Sequence, residues 1–158
     1  MDVKKSKLKM NLKHSRAAYL FAIECLPDLN SLESGPIRVN IFEFLRKNQV
    51  ISMIVEFGWA FFCRYEACVE TFLKDNNVKL SKNKSLRDWL EEHKVTIPDN
   101  YAEGIELYRK IRNSLHHMDG ASLNDQQDTE IHLYREHMEN FFELFLWIGE
   151  QVSQHTET

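Results

Sequence analysis

Five glycines and three prolines in 158 residues are too few for the many tight turns of a sheet-rich fold. No stretch approaches the ~20 apolar residues of a membrane span, so a membrane partner is not expected. Cysteine is scarce as well. Cys25, Cys63 and Cys68 make an odd number with no CxxC pair, which reads as reduced, buried thiols of a cytoplasmic protein. Nor is there an excess of positive charge: 20 Lys and Arg stand against 24 Asp and Glu, a net charge of −4. That excludes a globally basic surface drawing in nucleic acid through counterion release. Any RNA contact must come from a local patch: the lysines at 4, 5, 7, 9 and 13, the stretch Lys79 to Lys94, or Arg109-Lys110 with Arg112. The N-terminus lacks the layout of a signal peptide, because the apolar run Ala17 to Ile23 is short, follows Arg16 and meets Glu24 without an A-x-A site.

Several chemistries are missing too. There is no Gly-rich phosphate loop, no G-x-S-x-G, no paired Cys/His pattern and no basic–aromatic interleaving of an RNA-recognition kind. His132 and His137 are five apart, off the four-residue spacing by which two imidazoles on one helix share a zinc ion. No metal and no cofactor is expected.

What is present is apolar and aromatic: 43% hydrophobic residues, with ten Phe, five Tyr and three Trp. A chain of this size reads as a single helical domain, 1–158, able to bury roughly two-thirds of its unfolded surface. Six helical segments suggest themselves. The first, roughly Lys7 to Leu26, carries Leu8, Leu12, Ala18, Phe21, Ile23 and Leu26 and is ended by Pro27-Asp28; the N-terminal lysine cluster reads as a frayed, solvated start. A second begins near Pro36, with Val39, Phe42, Leu45 and Val50, and either breaks near Asn48 or runs on into the third. The third, about Ile51 to Lys74, is apolar on nearly every side and should be central. Ser85 with Asp88 opens a short fourth helix, and Pro98-Asp99-Asn100 introduces a fifth, roughly Tyr101 to His116. After a turn at 118–122, Asn124 with Gln127 opens a long sixth helix, on which Ile131, Tyr134, Met138, Phe141, Phe142, Phe145, Ile148 and Val152 form one stripe. Such a stripe is core or subunit interface rather than a cofactor box. The fold class is all-α, an antiparallel bundle of about five to six helices.

The fifth helix carries the candidate chemistry. At about 100° per residue, Gly104, Ile105, Leu107, Tyr108, Ile111, Leu115 and Met118 form its apolar stripe, and Glu106, Arg109, Lys110, Arg112, Asn113, His116 and His117 gather opposite. Asn113 and His117 are four apart and can touch. Arg112 is displaced from His117 by about 140° of arc, near the edge of the stripe. An RNA phosphodiester is cut without metal when its own 2′-hydroxyl attacks phosphorus. That needs a group titrating near neutrality, which is His, and a planar cation for the phosphorane, which is Arg. One His does not easily serve as both base and acid, and a two-fold dimer would bring a second copy of the same ridge. The same residues also describe a solvated helix face whose histidines complement the helix dipole.

The string Arg112-Asn113-x-x-x-His117 resembles the Arg-x4–6-His signature of the HEPN superfamily, small helical-bundle domains in which Asn very often follows the Arg. Its place at the end of a helix before a final long helix fits as well. Arg64-Tyr65-Glu66 is similar to the Arg-aromatic-Glu of some HEPN families that carries their accessory acid. The resemblance covers about residues 35 to 152, leaving the first helix to pack on that core. It implies a homodimeric, metal-independent endoribonuclease of the kind found in toxin–antitoxin and anti-phage systems, with RNA as substrate and an antitoxin or regulatory protein as a further partner. Arg112 would bind the scissile phosphate and His117 would act as acid or base. Asn113 would orient His117 or the phosphate, Glu66 would hold Arg112, and Arg64 and His116 would have supporting places. HEPN toxins paired with nucleotidyltransferase antitoxins often have Tyr two residues after the motif His; this chain has Asp119, which argues against that pairing. The alternative is a non-catalytic module that uses the same ridge to bind nucleotide, nucleic acid or protein. For Glu66 the bland expectation is a surface pair with Arg64, Lys74 or an N-terminal lysine, which contributes little, about 0–1 kcal/mol.

Overall fold

The structure, a computed structural model, describes residues 2–38, 44–81, 83–115 and 131–156, without the side chains of residues 44 and 113–115. Five helices occur among them: α1 (Val3–Glu24), α2 (Lys47–Asp75), α3 (Leu86–Glu92), α4 (Asp99–Leu115) and α5 (Arg135–Thr156). They form an all-α bundle. No helix among the described residues is long and apolar enough to cross a membrane.

The 29-residue α2 is the spine. α1 lies antiparallel to it, with Tyr19 against Phe61 at one end and Lys4 Nζ donating to the Asp75 carbonyl at the other. α5 runs parallel to α2, from Leu133 against Gly58 through Tyr65–Phe142 to the Thr156 hydroxyl on the Asn76 side chain. α4 returns antiparallel to α5, with Tyr101 beside Trp147 and Gly104 against Leu144. The core is a knot of rings: Phe62 of α2 meets Phe141 and Phe145 of α5 and Tyr108 of α4, with centroids 4.9, 6.3 and 6.4 Å away. Edge-on and tilted pairs of this kind add to the burial of their large apolar area. Tyr108 therefore sets where α4 lies on α2. The short α3 is nucleated by Ser85, whose hydroxyl accepts from the Asp88 amide while the Asp88 carboxylate accepts from the Ser85 amide, a reciprocal cap. It buries Leu86, Trp89 and Leu90.

Four expectations from sequence are corrected. No helix starts at Pro36: β1 (Ile37–Arg38) pairs antiparallel with β2 (Phe44–Leu45), Ile37 opposite Leu45, and α2 starts at Lys47. A short apolar run rich in β-branched residues satisfies either period, and nothing in its spacing selects the helix. The last helix does not include Ile131 and Tyr134; residues 131–134 are irregular before α5 starts at Arg135, and 124–130 lie outside the described residues, as does the turn at 118–122. The start of α1 is not frayed, because Asp2 caps it through the Lys4 and Lys5 amides and is itself bonded by the Ser153 hydroxyl of α5. The three cysteines form no disulfide, and they are not buried: Cys25 and Cys63 are exposed and Cys68 is half-buried. Phe21 is also turned outward, 74% exposed. It is two residues, about 200° of arc, from buried Tyr19.

Candidate functional site

On α2, Phe62, Glu66 and Glu70 fall at four-residue steps, and on α4 so do Tyr108 and Arg112. Residues four apart share a helix face. The row that brings Phe62 to Tyr108 in the core therefore continues, one turn further on each helix, into charged groups. Arg112 Nη2 donates to Glu70 Oε1 at 2.8 Å, and Arg112 Nε faces Glu66 Oε1 at 3.6 Å, an ion-pair distance longer than a hydrogen bond. The three side chains are 15 to 24% exposed. Arg112 thus lies at the inner edge of the α4 stripe, near which the helical projection places it, turned towards α2.

The electrostatics follow from that placement. Burial works against the Arg112 cation, but the Glu70 hydrogen bond and the neighbouring charges of Glu70 and Glu66 outweigh it, so its pKa is raised. The Arg112 hydrogen bond holds the Glu70 carboxyl below the usual range against the opposing effect of burial, with Lys74 Nζ, at 3.4 Å, adding to the shift. Burial, then the charge on Glu66, pushes the Tyr108 phenol up. Its hydroxyl is buried and has no hydrogen-bond partner among the described residues.

A group whose folded pKa is lowered contributes stability above its unfolded pKa and loses it as the pH falls through the folded value. Glu70, with an ordinary value of 4.5, should therefore stabilise the neutral-pH fold. Glu70→Gln is expected to cost about 1 kcal/mol near pH 7, because Arg112 loses its charged acceptor. That difference should shrink steadily below about pH 4.5, where the parent also loses the charge. Urea unfolding of both proteins across that range measures it, and a gap that is independent of pH would remove the assignment.

The structure brings together Arg112 and Glu66 from the sequence-based candidates. Arg64 is not with them: two residues from Glu66, it lies on another face of α2, its guanidinium over the Phe61 ring at 5.6 Å. Asn113 is in α4, but its side chain lies outside the described residues, and so do His116 and His117. Glu70, the nearest partner of Arg112, was missed. Its signal was present, since Glu70 repeats Glu66 one turn on, but choosing it needs the register of α4 on α2. Lys74 pairs with Glu70, not with Glu66.

Next to Arg112, Leu80, Ser81, Asn83 and Ser85 to Asp88, with the α4 face from Ile105 to Arg112, enclose a cleft of ≈ 300 Å³. Comparison with family models, with curated proteins and with solved structures yields no match to this chain.

Proposed function

We propose that this chain is a metal-independent endoribonuclease of HEPN type that works as a homodimer, with a role in toxin–antitoxin or anti-phage defence in the cytoplasm. Arg112 binds the scissile phosphate and stabilises charge on its equatorial oxygens. His117, five residues on, takes the proton from the attacking 2′-hydroxyl or gives one to the departing 5′-oxygen, and the partner's copy of the ridge supplies the other transfer. The P–O5′ bond breaks as the 2′-O–P bond forms, leaving a 2′,3′-cyclic phosphate and a 5′-hydroxyl. Asn113 orients His117 or the phosphate, and His116 assists.

The observation that carries this reading is Arg112 at the end of α4, fastened to Glu66 and Glu70 of α2. A guanidinium held by carboxylates is pre-oriented, which is what electrostatic stabilisation of a transition state requires. The same carboxylates favour the second reading, a non-catalytic binding module, because two anions on one cation, in a chain of net charge −4, weaken its hold on a phosphate. The two readings part in one experiment: the purified protein is incubated in EDTA with a structured RNA. Fragments ending in 2′,3′-cyclic phosphate support the endoribonuclease. Intact RNA over a wide range of protein concentration leaves the binding module.

A further inference from the structure

One side of the ≈ 300 Å³ cleft is made by Leu80, Ser81, Asn83 and Ser85 to Asp88, with Arg87 as the cation it contributes, and the other by the α4 face that carries Arg109 and Arg112. Its floor is apolar, made by Leu80, Leu86, Ile105 and Tyr108. Its charged groups are Arg87, Arg109 and Arg112 against Asp88 and Glu106, so the lining is positive in an acidic chain. Ser81, on one rim, is held by reciprocal backbone bonds with Lys84, of 2.9 and 3.1 Å.

We propose that this cleft holds one unpaired nucleotide of a single-stranded RNA, the nucleotide next to the phosphate that sits on Arg112. The proposal rests on the reading above for the place of that phosphate. The volume is at the lower end of small-molecule sites, about 300 Å³; it admits one base with its sugar and no duplex. An apolar floor under planar guanidiniums suits a base, which stacks on Arg where no exposed ring is available. The ligand also has a direction. Asp88 and Glu106 repel a phosphate but accept from the amino groups of a base edge, so the base lies towards α3 and the phosphate towards Arg112. Arg87 and Arg109 are occupied by Glu91 and Glu106 in the free protein, the first pair on solvent-exposed side chains and the second half-exposed. Such pairs contribute little to the fold and yield to a ligand at small cost.

The test uses a labelled single-stranded oligoribonucleotide and the full chain carrying His117→Ala, so that binding is read without turnover. Adding Arg109→Ala is expected to raise Kd about tenfold, the worth of one base stacked on a side chain, with little change in the slope of log K against log salt, because the phosphate sits on Arg112. Arg87→Ala should act in the same direction, and a duplex of the same sequence should compete poorly. In the chain with His117 intact, Arg109→Ala should raise KM while kcat stays within about twofold. Unchanged Kd and KM in both arginine variants overturn the cleft even where the parent cuts RNA, which leaves the endoribonuclease standing. Arg109-dependent binding without any cutting does the reverse. Neither binding nor cutting overturns both.

Discussion

In EDTA, His117→Ala is expected to leave intact an RNA that the parent chain cuts, a loss of about 10²–10⁴-fold, the range that one general acid–base group supplies. Its thermal unfolding should match the parent's if the imidazole serves chemistry alone. Arg112→Ala should abolish cleavage as fully, but it is not the clean control that sequence alone suggests. The geometry changes that for Arg112, because its removal takes from Glu66 and Glu70, carboxylates 15% and 24% exposed, the cation they share, with Lys74 still beside Glu70. Leaving a largely buried charged acceptor without its donor costs about 1–3 kcal/mol, which for a chain of this size lowers Tm by roughly 2–4 °C per kcal/mol. Arg112→Lys separates the two effects: it restores a charge beside Glu70 and most of that stability, while losing the planar fork that spans two phosphate oxygens. Full activity in the lysine variant would refute the proposed role of the guanidinium. Activity that does not fall as the protein is diluted through its dimer dissociation would refute the two-copy site.

How far the sequence could be read follows from length and period. α5 was legible because Met138, Phe141, Phe142, Phe145, Ile148 and Val152 keep a helical step over four turns, and every one of them is buried. α3 was legible because Ser85 and Asp88 carry a cap whose partners lie three residues apart. Segments that failed were short or depended on distant partners. Ile37–Arg38 finds its pair at Phe44–Leu45, and the Asp2 cap of α1 is also bonded by Ser153, 151 residues away. The site divides the same way. That Arg112 shares a row with Tyr108 is local and follows from the four-residue spacing. That this row meets Phe62, Glu66 and Glu70, and so selects Glu70 over Arg64, depends on how two helices far apart in sequence are seated by their aromatic core. Nor does composition reveal the joining of Arg87 with α4 across one cleft.

Gly58→Ala is expected to be among the most damaging single-methyl changes in the chain. Nothing about the dihedral angles of α2 requires glycine there, and alanine is the better helix former by about 1 kcal/mol. The requirement comes from the segment 131–134, which crosses α2 so closely that a Cβ at Gly58 would lie 1.9 Å from the Leu133 carbonyl oxygen and 2.9 Å from its carbon. Those are backbone atoms, so no rotamer change relieves the clash. The segment must lift, and Leu133, buried completely in the core, would be drawn out with it. Overpacking costs typically 1–3 kcal/mol, and with backbone as the obstacle the upper end applies, a fall in Tm of roughly 6–12 °C. Gly104→Ala is the matched comparison. Its Cβ would meet the Leu144 Cδ2 methyl at 3.1 Å, a side-chain atom with room to shift, so the gain in helix propensity should leave Tm within about 3 °C of the parent or above it. Differential scanning calorimetry of both variants decides the point. A Gly58→Ala protein as stable as Gly104→Ala would mean that Leu133 does not lie across α2, and the packing that leads the chain into α5 would have to be redrawn.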